Sequence, residues 1–348
     1  MPNCSPGRPV PDSSDPVISV VVIGRNEGER LARCLRSVLA ADTGGRAIEL
    51  IYVDSDSSDG SSECAQRLGA RVLRVQPTRP SAAIGRNAGW RAATGSHVLF
   101  LDGDTVLERD FVLAALREIE TSPEIGVVWG HRREVAPSAS LYNRALDLDW
   151  IYPPGDTEFC GGDALFRRAA LERSGGFDDT LIAGEEPELC ARLRAMGYRI
   201  RHIDVPMTGH DLAITHWRQY WRRAERAGHA YAEVSARFAG TTSPLWSRES
   251  RRNLWHGAFV VGGLGGITAA VLAGMPGVAM AGLAGAVAIV TRTAWRARWK
   301  DPNPATLLAY ALHSHLQQVP ILWGQLAWRR ARRRGRVRGL IEYKAPRP

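Results

Sequence analysis

The sequence predicts an α/β domain on a mostly parallel, Rossmann-like sheet flanked by helices, followed by a C-terminal helical region associated with a membrane. Three observations carry this expectation. Short apolar runs alternate with helical patterns through the first part of the chain, the arrangement that right-handed βαβ units require. Polar, ligand-capable residues follow three of those runs, where open α/β sheets bind their ligands. Far downstream, no charged residue occurs from Gly257 through Thr291, and the basic excess crowds into the last third of the chain.

At 348 residues the chain has room for one large or two ordinary domains. Met1 to Asp15, rich in Pro and Ser, reads as a disordered tail with no signal peptide. The five cysteines are scattered without paired metal spacing and read as reduced thiols. The net charge of +9 is unevenly placed, ending in the run Arg329 to Arg336. Such a run can bind nucleic acid, but after long apolar segments it fits the cytoplasmic flank of a membrane anchor better. The sheet-edge clusters are acidic, so no nucleic-acid partner is expected.

Val17 to Ile23 is the first buried-strand run. A loop, Gly24-Arg25-Asn26-Glu27, leads to a helix with Leu31, Cys34, Leu35, Val38 and Leu39 at helical spacing. Ile48 to Val53 is the next strand, ending at Asp54-Ser55-Asp56-Ser57-Ser58-Asp59-Gly60. A helix over 61–68 stops at Gly69, and 71–75 returns to strand. Ala83 to Gly95 reads as a helix opened by a glycine loop and stopped by Gly95, with Arg86 near its start. A helix amino end beside a guanidinium is a natural seat for phosphate, although a solvent-facing Arg on an ordinary helix has the same pattern.

Val98-Leu99-Phe100-Leu101-Asp102-Gly103-Asp104 is the stretch around which the domain is organised. Four apolar residues make a doubly buried strand that ends in two carboxylates one glycine apart. Such a pair suits Mg²⁺ or Mn²⁺, which takes few protein ligands and completes its shell with phosphate oxygens and water. In isolation Asp-Gly also closes hairpins. Three polar clusters on one sheet edge, Arg25 to Glu27, Asp54 to Asp59 and Asp102 to Asp104, describe a site.

Taken together, Val20 to Glu27, Val53 to Gly60, Gly85 to Gly89 and Leu99 to Asp104 resemble, in order and spacing, the successive signatures of family 2 glycosyltransferases. The resemblance extends over 17–240. It implies the GT-A fold, a nucleotide-sugar donor and inversion at the anomeric carbon. It also implies that Arg25 and Asp54 border the nucleotide base and that Arg86 lies by the diphosphate; Glu27 and Asp56 are further candidate substrate-binding residues, the role of Asp56 being open. Asp102 would sit near ribose and metal, and Asp104 on the metal. Ile23-Gly24-Arg25 replaces the family's usual Pro-Thr-Tyr, and Asp56 stands where the family often has Gly.

Phe159 to Arg168 contains a double glycine, Gly161-Gly162, that lets backbone approach a sugar. Asp163 after it can accept a sugar hydroxyl or simply close a tight turn. Gly184-Glu185-Glu186-Pro187-Glu188 opens a helix with a buried stripe of Leu189, Leu193 and Met196. Acidic residues there complement the helix dipole. They also resemble the family's Glu-Asp motif, with Glu186 in the place of the general base and Glu185 beside it. Inversion needs one carboxylate to take the proton of the attacking hydroxyl. Ile203 to Asp211 is a strand leading to His210, and the resemblance to GT-A enzymes implies that a histidine here completes the metal site with Asp102 and Asp104 or touches the diphosphate.

Trp217, Tyr220, Trp221, Ala224, Tyr231, Val234 and Phe238 share a helix face bordered by arginines, which suits a bilayer headgroup zone or packing onto the domain. Gln219 to Arg223 lacks the final Trp of the processive synthases' Gln-x-x-Arg-Trp. The charge-free stretch 257–291 is too long for one crossing and is broken at Met275-Pro276-Gly277, so a helical hairpin is expected. Basic flanks on both sides put both ends in the cytoplasm, at the inner face of the plasma membrane. The apolar segment 305–328 carries His313, His315, Gln317, Gln318 and Pro320 and reads as interfacial or re-entrant. Domains are thus expected at 1–15, 16–240 and 241–348.

The function expected is an inverting transfer of a sugar from a nucleotide-diphosphate donor to a lipid-linked, polyprenyl-linked or polysaccharide acceptor at the membrane, in envelope or exopolysaccharide synthesis. A polyprenyl-phosphate sugar synthase and a non-catalytic sugar-binding scaffold on the same fold are the alternatives.

Overall fold

A computed structural model describes residues 18–241 and 244–335. The N-terminal tail 1–15 and the basic tail beyond 335 lie outside the described residues. The chain forms two compact units, one of residues up to Val135 with Tyr152–Leu212, the other of Ala136–Ile151 with residues from Ala213 onward.

The first unit begins β1 (Ile18–Gly24), α1 (Glu29–Leu39), β2 (Ile48–Asp54), α2 (Ser61–Arg67), β3 (Arg71–Arg74), α3 (Ala82–Ala92) and β4 (His97–Asp102). It continues with β5 (Thr105–Leu107), α4 (Phe111–Glu120) and β6 (Ile125–Glu134). An inserted helix, α5 (Leu141–Asp147), belongs to the second unit. Then follow β7 (Gly155–Thr157), β8 (Ala164–Arg167), α6 (Arg168–Ser174), α7 (Glu185–Ala195) and β9 (Arg199–His210).

The strands form one sheet in the order β3-β2-β1-β4-β8-β6-β9-β5, with β7 paired to β9. β3, β2, β1 and β4 are parallel, as the alternating pattern predicts. The other half is mixed, because β8 runs antiparallel to both β4 and β6, and β5 antiparallel to β9. β6 and β9 are parallel, so both kinds of pairing occur in this half. Strand direction in this half depends on long excursions whose return sense no local pattern encodes. β5 pairs with β9 and not with β4, so Asp102-Gly103-Asp104 is no hairpin turn.

β1 and β4 are apolar through their middles because both faces are covered: Val20, Val21, Val22, Leu99, Phe100 and Leu101 are fully buried. α1 buries Leu31, Cys34, Leu35 and Val38 on the sheet, while Leu39 of the expected stripe is exposed. α3 is capped by Ser81, whose hydroxyl accepts from Ile84 N. It therefore starts ahead of Gly85 and ends before Gly95, contrary to the glycine-bounded helix expected. Gly89 answers to packing: a Cβ there would lie 2.2 Å from Val21 Cγ1 on β1. On α7, Leu189 and Leu193 are buried but Met196, at the last turn, is exposed. Cys34, Cys160 and Cys190 are free thiols, as expected, whereas Cys64 is disulfide-bonded.

The second unit contains α5, α8 (Trp217–Arg237), α9 (Ser247–Leu272), α10 (Pro276–Arg296), α11 (Pro304–Leu316) and α12 (Gln318–Arg333). α8 and α12 touch backbone to backbone. A Cβ on Gly228 would lie 2.1 Å from Ile321 O, and one on Gly324 2.1 Å from Glu225 O. The aromatic stripe of α8 is thus partly a packing face, with Tyr220 and Ala224 buried and Trp217 exposed. Tyr220 Oη hydrogen-bonds with His313 Nδ1 at 2.8 Å, and His313 Nε2 with Asp149 at 3.0 Å, tying α8, α11 and the inserted segment together. α9 and α10 form the expected hairpin, turned at Gly274 (φ +67°) and Pro276. Both are long and apolar enough to cross a membrane. The segment 305–328 comprises most of α11 and the first part of α12.

Candidate active site

The parallel register sets the site. Gly24 pairs with Asp54, and Ile23 with Asp102, so the polar residues that follow β1, β2 and β4 emerge along one edge of the sheet. Gly103 N donates to Ile23 O at 2.8 Å, and a Cβ on Gly103 would lie 3.1 Å from that oxygen. The glycine lets the Asp102–Asp104 loop lie against the end of β1.

Arg86 is the centre of the site. It projects from α3, is 2% exposed, and stacks over the Phe177 ring at 5.6 Å. Its Nη2 lies 3.0 Å from Asp102 Oδ1, and its Nη1 lies 2.9 Å from Glu185 Oε1 and 3.1 Å from Glu186 Oε1. Burial disfavours the guanidinium charge, but Glu186, Asp102 and Glu185 outweigh it and raise the pKa. One cation thus joins the carboxylate at the end of β4 to the two at the start of α7.

Of those two, Glu185 is buried, while the Glu186 side chain is 18% exposed. Burial and the neighbouring Glu185 charge push Glu186 up to about 7, against the pull of Arg86. A partly open carboxylate titrating near neutrality is matched to accepting a proton.

Asp102, Asp104 and His210 offer ligand atoms within 4.8 Å of one another. Asp104 and His210 are buried and face each other at 3.4 Å, because β5, directly after Asp104, pairs with the end of β9 through Thr105 and His210. Two carboxylates and an imidazole fit Mn²⁺ well and Mg²⁺ acceptably, since imidazole favours the former.

The remaining expected residues are placed unequally. Asp54 is buried, and its carboxylate accepts from Ser62 Oγ at 2.8 Å, from Tyr52 Oη at 3.2 Å and from Ser57 through both hydroxyl and amide. It organises the loop after β2. Asp56, in the left-handed region at φ +67°, is exposed and accepts from Gln76 Nε2 at 3.0 Å. Arg25 is exposed at the mouth of the same edge. Glu27 pairs with Arg30 at 2.8 Å.

Asp163 differs from its expected role at a sugar hydroxyl. It is fully buried, accepts from Asp102 N at 3.0 Å and Thr208 Oγ1 at 2.8 Å, and pairs with Arg132 at 3.1 Å. The antiparallel register of β8 on β4 puts the residue before Ala164 beside the end of β4, so Asp163 supports Asp102 from behind. Burial raises its pKa, with Arg132 opposing. The double glycine likewise meets protein: a Cβ on Gly162 would lie 2.6 Å from Arg86 Nη2 and 3.0 Å from Asp102 Oδ2.

Arg132, near the end of β6, was not singled out from the sequence. It lies 3.3 Å from Asp102 Oδ2 and 3.1 Å from Asp163 Oδ2. The only sequence signal was the run His131-Arg132-Arg133-Glu134 closing an apolar strand.

The family model described as glycosyl transferase family 2 matches residues 19–175, ahead of Glu186 and His210. Residues 19–175 resemble a family 2 glycosyltransferase domain. A curated relative, the pre-mycofactocin glycosyltransferase of Mycobacterium tuberculosis, is 28% identical over 94% of this chain and 70% of its own length. The cellulose synthase 1 catalytic subunit (UDP-forming) of Komagataeibacter xylinus is 23% identical over 62% of this chain and 32% of its own. Among solved structures, the mannosyltransferase PcManGT from Pyrobaculum calidifontis, in complex with GDP-Man and Mn²⁺, superposes with a TM-score of 0.60. It is 24% identical, covering 85% of this chain and 86% of that one, so the transferase domain has the GT-A fold.

Proposed function

We propose that this chain transfers a sugar, with inversion, from a nucleotide-diphosphate donor to a lipid-linked or polysaccharide acceptor held at a membrane surface. The single observation that carries this reading is the Arg86 bridge. It brings Asp102, beside the candidate metal ligands, and Glu186, the candidate base, onto one guanidinium.

In this reading Asp102, Asp104 and His210 hold Mn²⁺ or Mg²⁺, which when bound supplies charge stabilisation for a departing diphosphate. Arg86 adds a fixed positive charge on the same side. Glu186 takes the proton of the acceptor hydroxyl as that oxygen attacks the anomeric carbon, and its pKa near 7 suits the task. Arg25 and Asp56, both exposed, are assigned to the nucleotide base side with Glu27, while Asp54 shapes that loop from within. Glu185 and Asp163 orient Arg86 and Asp102. The solved mannosyltransferase carries GDP-Man and Mn²⁺, and the cellulose synthase relative is UDP-forming, so GDP- and UDP-sugars are the donors to try first.

The membrane part of the reading rests on the hairpin. α9 and α10 are charge-free over 257–291 and almost wholly exposed, unlike the core helices of a soluble protein. Basic residues at both ends support the reading that the catalytic unit works on the cytoplasmic side of the plasma membrane. Purified full-length protein is screened with GDP- and UDP-sugars, with and without Mn²⁺, for release of nucleoside diphosphate. Metal-dependent release from one donor class supports the proposal, and no binding of any nucleotide sugar overturns it.

A further inference from the structure

The hairpin base carries features that the transfer reaction does not use. Trp255 on α9 and Trp295 on α10 are 73% and 67% exposed. Trp255 lies 19 residues before Gly274 and Trp295 lies 19 residues after Pro276, on the two sides of the turn. At 1.5 Å per residue both rings sit about 28 Å from the hairpin tip, close to one hydrocarbon thickness of roughly 30 Å. The two arms are in antiparallel register, since a Cβ on Gly282 would lie 2.8 Å from Ile267 Cγ1.

Cations cluster with tryptophans toward this end of the unit. The Arg298 guanidinium lies 4.4 Å from the Trp295 ring centre. On α12, Arg330 covers Trp323 at 5.9 Å. Trp299 and Trp323 are also exposed, at 58% and 49%. Tryptophan seeks the bilayer interface, where its ring is buried and its N–H wet, and a cation stacked on it lies at phosphate depth.

We propose that these paired tryptophans and cations form a collar that seats the hairpin base among anionic lipid headgroups, with the tip reaching the far interface. The inference rests on the membrane reading above and adds to it a depth and a lipid preference. Charge complementarity decides the partner, because an uncharged surface gives the stacked cations nothing to pair with. Each basic residue near an anionic surface contributes about 1 kcal/mol, which is roughly fivefold in local lipid association.

The test uses the full chain reconstituted in phosphatidylcholine vesicles containing a minority of phosphatidylglycerol. Tryptophan-to-dansyl energy transfer is compared for dansyl-labelled phosphatidylglycerol and dansyl-labelled phosphatidylcholine. The expected result is stronger transfer to the anionic probe, lost at high salt and in the Arg298→Gln/Arg330→Gln variant, with transfer to the zwitterionic probe unchanged. Equal transfer to both probes in the unaltered protein overturns the collar while leaving the anchor standing. A preference that survives in the charge-removed variant also overturns it. No transfer to either probe overturns the membrane reading itself.

Discussion

Replacing Glu186 with Gln keeps the shape of the side chain and removes its ability to take a proton. Loss of a positioned general base costs about 10²–10⁴ in rate, or roughly 3–5 kcal/mol of barrier. The structure adds a pH signature. With its pKa near 7, Glu186 is the active, ionised form above that value and protonated below it. The ionised fraction falls from roughly nine-tenths at pH 8 to just under one-tenth at pH 6, so kcat/KM is expected to drop about tenfold between them. The linkage to stability has the opposite sense. A carboxyl whose folded pKa is raised contributes stability at low pH that is lost as pH rises from the ordinary value to about 7. Glu186→Gln should therefore melt higher than the unaltered protein at pH 8, while turning over far less donor. Release of nucleoside diphosphate in the presence of acceptor, measured across pH 5.5 to 9, reads the first effect, and thermal unfolding reads the second. A variant that keeps its rate within about threefold, or a flat profile between pH 6 and 8, refutes the assignment of the base.

Glu185→Gln removes the charge that helps raise Glu186, so the acid limb of the pH profile should move to lower pH; an unmoved limb means the two carboxylates do not interact. Arg132→Gln leaves Asp163 buried without its cation and loosens Asp102, and is expected to weaken Mn²⁺ binding about tenfold or more by titration. Arg132→Lys should recover part of that loss. Gly89→Ala drives a methyl into Val21 and should cost about 1–3 kcal/mol in denaturant unfolding, relieved when Val21→Ala is added. Gly162→Ala presses on Arg86 and Asp102 and should lower kcat with little change in Tm.

Much of the fold was legible because buried parallel strands write themselves as unbroken apolar runs. β1, β2 and β4 could be read from Val20 to Val22, Ile51 to Val53 and Val98 to Leu101, and the residues after each run fall on the ligand edge. Arg86 and Glu186 were legible as candidates from motif register, but their meeting on one guanidinium is a tertiary fact. Arg132 was hidden because only the placement of β6 beside β8 brings it to Asp102. Asp163 shows the converse: the antiparallel return of β8 turns its carboxylate inward, where no local pattern points it. The close backbone approach signalled by Gly161-Gly162 was real, but its neighbour is the Arg86–Asp102 pair. In the second unit, the amphipathic pattern of α8 could not say whether its apolar face met lipid or protein, and Gly228 and Gly324 show that much of it meets α12.

Calorimetric titration of GDP and UDP into the full-length protein, with Mn²⁺ and with chelator, probes the convergence of Asp102, Asp104 and His210 without needing the acceptor. The expected result is that Mn²⁺ tightens binding of one nucleotide by at least about tenfold, and that Asp104→Asn abolishes the gain while leaving metal-free binding intact. Binding of the nucleotide that is indifferent to Mn²⁺ in the unaltered protein would contradict the site described.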